Sequence, residues 1–236
     1  MPQHVNNIPF LGRCLSAMDE LPANLPEGTL VRLVFDQNTP LEILDQRIEQ
    51  GVHYGLRMQL APTEAPGYHP QNPLEANFVT EPTLMDDFCA FWENLAVRYA
   101  KMPVEFVLLH CPEGYWKTLP DFGPAEYAVM VRRVEKVIHA VEAGRPIVVD
   151  GMDHGRYIPT DLFDLASNNV ALCGAWDTKN PQNTLESFKH TLRLWEAYRQ
   201  ATGQEVICLL RKPSDPSIFD AYVPLLESHQ MQAILW

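Results

Sequence analysis

Short apolar runs, polar loops and longer stretches of helical periodicity follow one another along the chain. That alternation predicts a parallel sheet whose strands are joined by crossover helices. The apolar runs mark eight predicted strands: Ile8–Cys14, Leu30–Phe35, Tyr54–Leu60, Val104–His110, Pro146–Val149, Val170–Gly174, Val206–Leu210 and Ala233–Trp236. Between them, Thr39-Pro40-Leu41-Glu42 reads as a capping box with proline in the first turn, and Gly51 as the stop of that helix. Leu84, Phe88, Phe91, Leu95 and Tyr99 recur at helical spacing in a helix predicted from about Pro82 to Ala100. A third helix starts after Gly123-Pro124, with Tyr127, Val131, Val134, Ile138 and Val141 on its inner face, and stops at Gly144. A fourth spans about Thr184 to Ala201 and ends at Gly203, with Leu185, Phe188, Leu192, Trp195 and Tyr198 inward; Asp215-Pro216 opens a last one. Eight parallel strands with alternating helices are the number that closes a (β/α)8 TIM barrel. With strand eight running to Trp236, the expected architecture is a compact α/β barrel lacking the last helix, residues 1–236 forming one domain.

Composition narrows this reading. The 236 residues are close to the ~250 of one such barrel. A chain that is 46% hydrophobic and 20% charged can bury a large core. The formal net charge of −12 repels phosphate backbones, so nucleic acid is not expected as a partner. Five cysteines, Cys14, Cys89, Cys111, Cys173 and Cys208, show neither a CxxC pair nor zinc spacing, and most sit in apolar runs. Reduced thiols of a cytoplasmic protein fit that usage, and no cofactor or metal is expected. No apolar run is long enough for a membrane span, and Met1–Phe10 has no signal-peptide core. A signal removed before the first residue would leave the same sequence on a secreted protein. Two loops, Pro62–Glu81 and Pro112–Pro124, follow predicted strands three and four, at the barrel end that carries active sites.

Several stretches, in order from about Leu30 onward, resemble glycoside hydrolase family 5, the cellulase family of the retaining clan. GLRMQL followed by APGYHPQN (within Tyr54–Asn72) resembles its third strand and Ala-Pro-Gly loop. FWENLAVRYAKMPVEFVLLHCP (Phe91–Pro112) resembles its helix, arginine-tyrosine turn and fourth strand. PIVVDG (Pro146–Gly151) resembles its fifth strand, TGQEVICLL (Thr202–Leu210) the approach to strand seven, and Ala233–Trp236 the last strand with its aromatic. The resemblance implies a barrel with a saccharide cleft at the C-terminal face. It also implies that the chemistry is altered. Where the family ends strand four with Asn-Glu-Pro and its acid/base glutamate, this chain has His110, Cys111 and Pro112. Where the family ends strand seven with its nucleophilic glutamate, this chain reads Leu209, Leu210, Arg211, Lys212. Ala61-Pro62 stands near the family histidine after strand three, and Ala175-Trp176 in place of the histidine-tyrosine pair of strand six. Retaining hydrolysis needs two carboxyl groups ~5–5.5 Å apart. A thiol with a reference pKa near ~8.5 is a poor proton donor, and an arginine opposes an oxocarbenium-like transition state.

The reading that follows is a catalytically degenerate hydrolase-like protein that binds an oligosaccharide or polysaccharide in an aromatic-lined cleft. The residues expected there are Trp236, Trp176, Trp116, Tyr115, Tyr68 and His110. An active glycosidase with relocated carboxylates is the alternative, with Glu113 and Asp153 as candidates and Asp36, Asp150 and Asp177 behind them. His154, with His110 and Asp177, could converge on a metal, and Arg211 with Lys212 could meet a uronic acid or phosphate. The bland reading of each aspartate is a cap or turn, and Trp92 and Trp195 belong to helix core faces. A third class, a non-catalytic interaction protein, rests on the missing eighth helix, whose place an oligomer or partner chain would cover.

Overall fold

The computed structural model describes residues 11–69, 72, 75–110, 123–151, 170–178, 184–211 and 216–236. Eight strands carry the apolar runs: β1 (Leu11–Ser16), β2 (Leu30–Phe35), β3 (Arg57–Pro62), β4 (Val104–Val107), β5 (Ile147–Asp150), β6 (Val170–Asp177), β7 (Val206–Arg211) and β8 (Gln232–Leu235). Each pairs in parallel with the next, and β8 pairs back on β1, Leu11 lying opposite Ala233, so the sheet is a closed barrel. Five helices lie among the described residues: α1 (Leu41–His53), α2 (Pro82–Arg98), α3 (Pro124–Val141), α4 (Leu185–Thr202) and α5 (Pro216–Ser228). The expected (β/α)8 barrel is what the chain forms, with five helices around it among the described residues. Between β1 and β2 the chain crosses in turns rather than a helix.

Side chains alternate along each strand between the barrel interior and the helical layer. Leu30, Ala61, Val107, Val148, Ala171, Cys173, Ile207, Leu209 and Ile234 fill the interior. The alternate residues pack outward. Val31, Leu33, Met58, Leu60, Phe106, Ile147 and Val149 meet α1, α2 and α3. Leu172, Trp176, Val206, Cys208, Leu210, Ala233 and Leu235 meet α4 and α5. Trp92 of α2 lies 5.2 Å from the Phe106 ring, and Phe188 of α4 lies 4.8 Å from Tyr222 of α5. Both tryptophans assigned to helix core faces, Trp92 and Trp195, are fully buried.

Local details correct the predicted boundaries. β3 starts at Arg57, because Gly55 takes a left-handed φ of 67° and reverses the chain after α1. Gly51 is therefore not the stop. It lies inside α1, where a Cβ would come within 2.2 Å of the Met58 sulfur, so its role is close packing of helix on strand. The Thr39 capping box does not form: Thr39 Oγ1 donates to Asp36 Oδ1 at 3.0 Å, and α1 opens at Pro40 without a side-chain cap. β6 runs three residues further than expected and β4 ends three residues sooner. Both differences change what reaches the barrel mouth.

Candidate functional site

The C-terminal mouth is assembled from strand ends. Alternation along β7 turns Ile207, Leu209 and then Arg211 inward, and alternation along β8 turns Ile234 and then Trp236 inward. Arg211 Cζ lies 5.3 Å from the Trp236 ring centroid, a cation–π arrangement. The Arg211 backbone is held by Thr178, whose Oγ1 donates to the Arg211 carbonyl at 2.9 Å, and Trp236 N–H donates to the Leu210 carbonyl at 3.0 Å. Trp236 remains 43% exposed, the one tryptophan with a large solvent-facing surface among those described.

His110 reaches the same place by a bend. Continuing β4 to residue 110 would have aimed it outward, with Phe106 and Leu108. The strand stops at Val107 and the chain bends through residues 108–110, which brings the imidazole inside. Its ring stands edge-on to Trp236 at 5.9 Å. Tyr68, fully buried, donates from its hydroxyl to the His110 carbonyl at 3.1 Å and so fixes the bend. Burial, and next the Arg32 charge beside it, lowers the His110 pKa to about 4, so the ring is neutral at pH 7.

Beneath His110 lies a buried polar column. Arg32, an arginine inside the apolar run of β2, faces the interior with no exposed surface. Its Nη1 donates to both carboxylate oxygens of Asp150 at 3.0 and 2.9 Å, and lies 3.5 Å from His110 Nδ1. Its Nε donates to Gln59 Oε1 at 3.0 Å, and Gln59 Nε2 donates to Glu105 Oε2 at 2.8 Å. Glu105 also accepts from Arg57, which reaches Glu205 on the opposite barrel face at 2.7 Å. Tyr127 of α3 donates to the Asp150 carbonyl at 2.7 Å, and burial pushes its phenol well above the ordinary tyrosine range. Burial likewise raises Cys14 to about 11 and keeps Cys173 and Cys208 protonated, so these three thiols are not nucleophiles at neutral pH.

The sequence-derived candidates fall into three groups. His110, Arg211 and Trp236 come together at the mouth, with Tyr68 as a buried support. Trp176 does not join them. The extra length of β6 places it within the strand, in phase with Leu172 and Gly174, so it points into the helical layer, 1% exposed and 5.0 Å from Phe188. Glu113, Asp153, Cys111, Tyr115, Trp116, His154 and Lys212 lie outside the described residues, as does the side chain of Asp177. Asp36 accepts from the Asn38 N–H at 2.9 Å and from Thr39, a turn-capping role. Asp150 is neither a turn residue nor a free acid but half of a buried ion pair. Arg32 escaped the sequence reading; its signal was a charged residue at an inward position of LVRLVF. Among the described residues no group of three His, Cys, Asp or Glu side chains forms a metal site, and no helix is long and apolar enough to cross a membrane.

An open depression of about 320 Å³, lined by Ser16, Met18, Val34, Phe35, Asp36, Asn38, Thr39 and Thr63, lies on the same face. A larger one, about 400 Å³, opens at the opposite face, where Glu205 is committed to Arg57, and Arg199 to the carbonyls of His229 and Gln230.

No family model and no curated protein matches the sequence. Solved structures match its fold. A structure described as a glycoside hydrolase superposes with a TM-score of 0.76 at 18% identity, covering 96% of this chain and 87% of that one. Thermotoga maritima Cel5A, solved with mannotriose, gives 0.68 at 12% identity over 100% of this chain and 92% of its own. Endo-glycoceramidase II from Rhodococcus sp. gives 0.62 at 13%, over 96% and 72%. The fold is that of these glycoside hydrolases; identities this low speak to the fold alone.

Proposed function

We propose that this chain is a glycoside-hydrolase-fold protein without the double displacement, and that it holds a saccharide at the C-terminal mouth of the barrel. The observation that carries this reading is the state of Asp150. Both of its oxygens are taken by the Arg32 guanidinium, and the groups presented beside it are an imidazole, a guanidinium and an indole. A glycosidase needs two working carboxyls, ~5–5.5 Å apart if retaining and ~6.5–9.5 Å if inverting. A carboxylate whose two oxygens both accept from one guanidinium is committed to that pair. An indole, by contrast, offers a flat apolar face for the C–H side of a sugar ring, and Arg211 and His110 supply hydrogen-bonding groups at its rim. Trp236 is the platform in this reading, Arg211 and His110 the polar contacts, and Tyr68 the brace behind His110.

The test incubates the protein with β-linked gluco-, manno- and xylo-oligosaccharides and measures new reducing ends, with binding followed in parallel by calorimetry. No release is expected, with binding weakened at least about ten-fold by Trp236→Ala, a substitution the exposed position tolerates structurally. Release of reducing ends overturns the degenerate reading and directs attention to Glu113 and Asp153, which follow β4 and β5 in the sequence.

A further inference from the structure

Resting on that reading, we infer that the saccharide carries an amino sugar, and that the depression at the ends of β1, β2 and β3 receives it: a 2-amino-2-deoxyhexose whose ammonium lies against the carboxylate of Asp36. The place of the depression comes first. β8 pairs with β1, Arg13 opposite Leu235, and β1 pairs with β2, Ser16 opposite Val34. Neighbouring strands lie about 4.8 Å apart, so the depression adjoins the strand end that carries Trp236. Alternation turns Ser16, Val34 and Thr63 toward the barrel axis. A saccharide that leaves the Trp236 indole across the end of β1 lays its next units over this hollow of about 320 Å³.

The lining has the chemistry of a sugar contact. Met18, 60% exposed, forms an apolar wall beside Phe35, and an unbranched methionine adapts to the shape of a ligand. Ser16, Asn38, Thr39 and Thr63 supply short polar groups around it.

Asp36 supplies the only charge among the residues that line the depression. Its two oxygens are unequal. Oδ1 accepts from the Asn38 N–H at 2.9 Å and from Thr39 Oγ1 at 3.0 Å. Thr39 Oγ1 in turn accepts from the Asp36 N–H at 3.1 Å, so the carboxyl group is fixed in place. Oδ2 has no partner among the described residues, and no cation there is paired with the group. Asp150 differs, with both oxygens taken by Arg32, and so does Glu205, which Arg57 holds. A half-buried carboxylate in one orientation, with one oxygen open, is an acceptor for a charged N–H donor. A sugar hydroxyl also donates to such an oxygen; an ammonium does so with full charge and a stronger bond. The net charge of −12 works in the same sense, drawing a cationic glycan to the surface.

Three tetramers that differ only at C2 test this: cellotetraose with a hydroxyl, the β-1,4-glucosamine tetramer with an ammonium, and the β-1,4-N-acetylglucosamine tetramer with a neutral amide. Calorimetry at about pH 6, where a sugar amine is protonated, and about 0.15 M salt should show the glucosamine tetramer binding at least about five-fold more tightly than either neutral one. Asp36→Asn keeps the Oδ1 acceptor of the turn and changes the net charge only from −12 to −11; it should bring the glucosamine tetramer down to cellotetraose. Met18→Ala, at an exposed position, should weaken the glucosamine tetramer at least about three-fold, and an unchanged affinity places the ligand elsewhere and overturns the site. A preference that survives Asp36→Asn belongs to the general acidity of the chain and also overturns the site. Absence of the preference in the wild type overturns the amino-sugar inference alone. Absence of binding to these three and to manno- and xylo-oligosaccharides overturns the proposed function itself.

Discussion

The two walls of the barrel interior are built on opposite principles. On the β6–β8 side, Ala171, Cys173, Ile207, Leu209 and Ile234 form the close-packed apolar filling usual for this fold. On the β2–β5 side, Leu30, Ala61, Val107 and Val148 share the interior with Arg32, Gln59, Glu105 and Asp150, which run as a hydrogen-bonded column, each buried. The apolar wall gains stability from every contact. The polar wall gains little, because taking an arginine and a carboxylate out of water costs about what their attraction returns. Its worth lies elsewhere: the column commits Asp150 to Arg32 and sets a guanidinium nitrogen 3.5 Å from His110 Nδ1, beneath the mouth.

The comparison predicts unequal responses to substitution. Arg32→Met leaves Asp150 as an unpaired buried charge and should cost about 3–5 kcal/mol. Adding Asp150→Leu should recover a substantial part, which urea unfolding of the two variants measures. Additive losses would mean that the pair is not the unit described here. Leu209→Ala, on the apolar wall, should cost about 3 kcal/mol by loss of packing, with no partner substitution that restores it.

The smallest effect concerns His110. Its folded pKa of about 4 lies below the reference 6.5, so between these values the unfolded chain binds the extra proton. The stability this contributes is complete above pH 6.5 and is lost as pH falls toward 4. From pH 7 to pH 5 the wild type should lose about 2 kcal/mol more than His110→Gln does, read from urea midpoints at both values. Parallel pH profiles of the two proteins would remove His110 from the column.

The barrel was legible in the sequence because strand and helix periods are written in apolar residues, which dominate the energy of folding. Leu30–Phe35 stands as expected, and the inner faces of α2, α3 and α4 carry the anticipated residues. The site was legible only in part. Arg211, His110 and Trp236 were marked by position at strand ends. Trp176 was misplaced because a three-residue error in the end of β6 moves a residue from loop to outward strand face, and period-2 alternation makes no allowance for such slips. Arg32 was passed over because a charge within an apolar run reads as noise until its partner, 118 residues away, is known.

The bond from Arg57 to Glu205 spans 148 residues and joins β3 to the start of β7. During synthesis the column therefore stands open at its foot until β7 has left the ribosome. A nascent half-barrel would carry Arg57 without that partner and, with β8 not yet paired to β1, a bare sheet edge. Assembly of this protein is thus a late, concerted event, and its exposure to chaperones and proteases is set by how long translation takes to deliver β7 and β8.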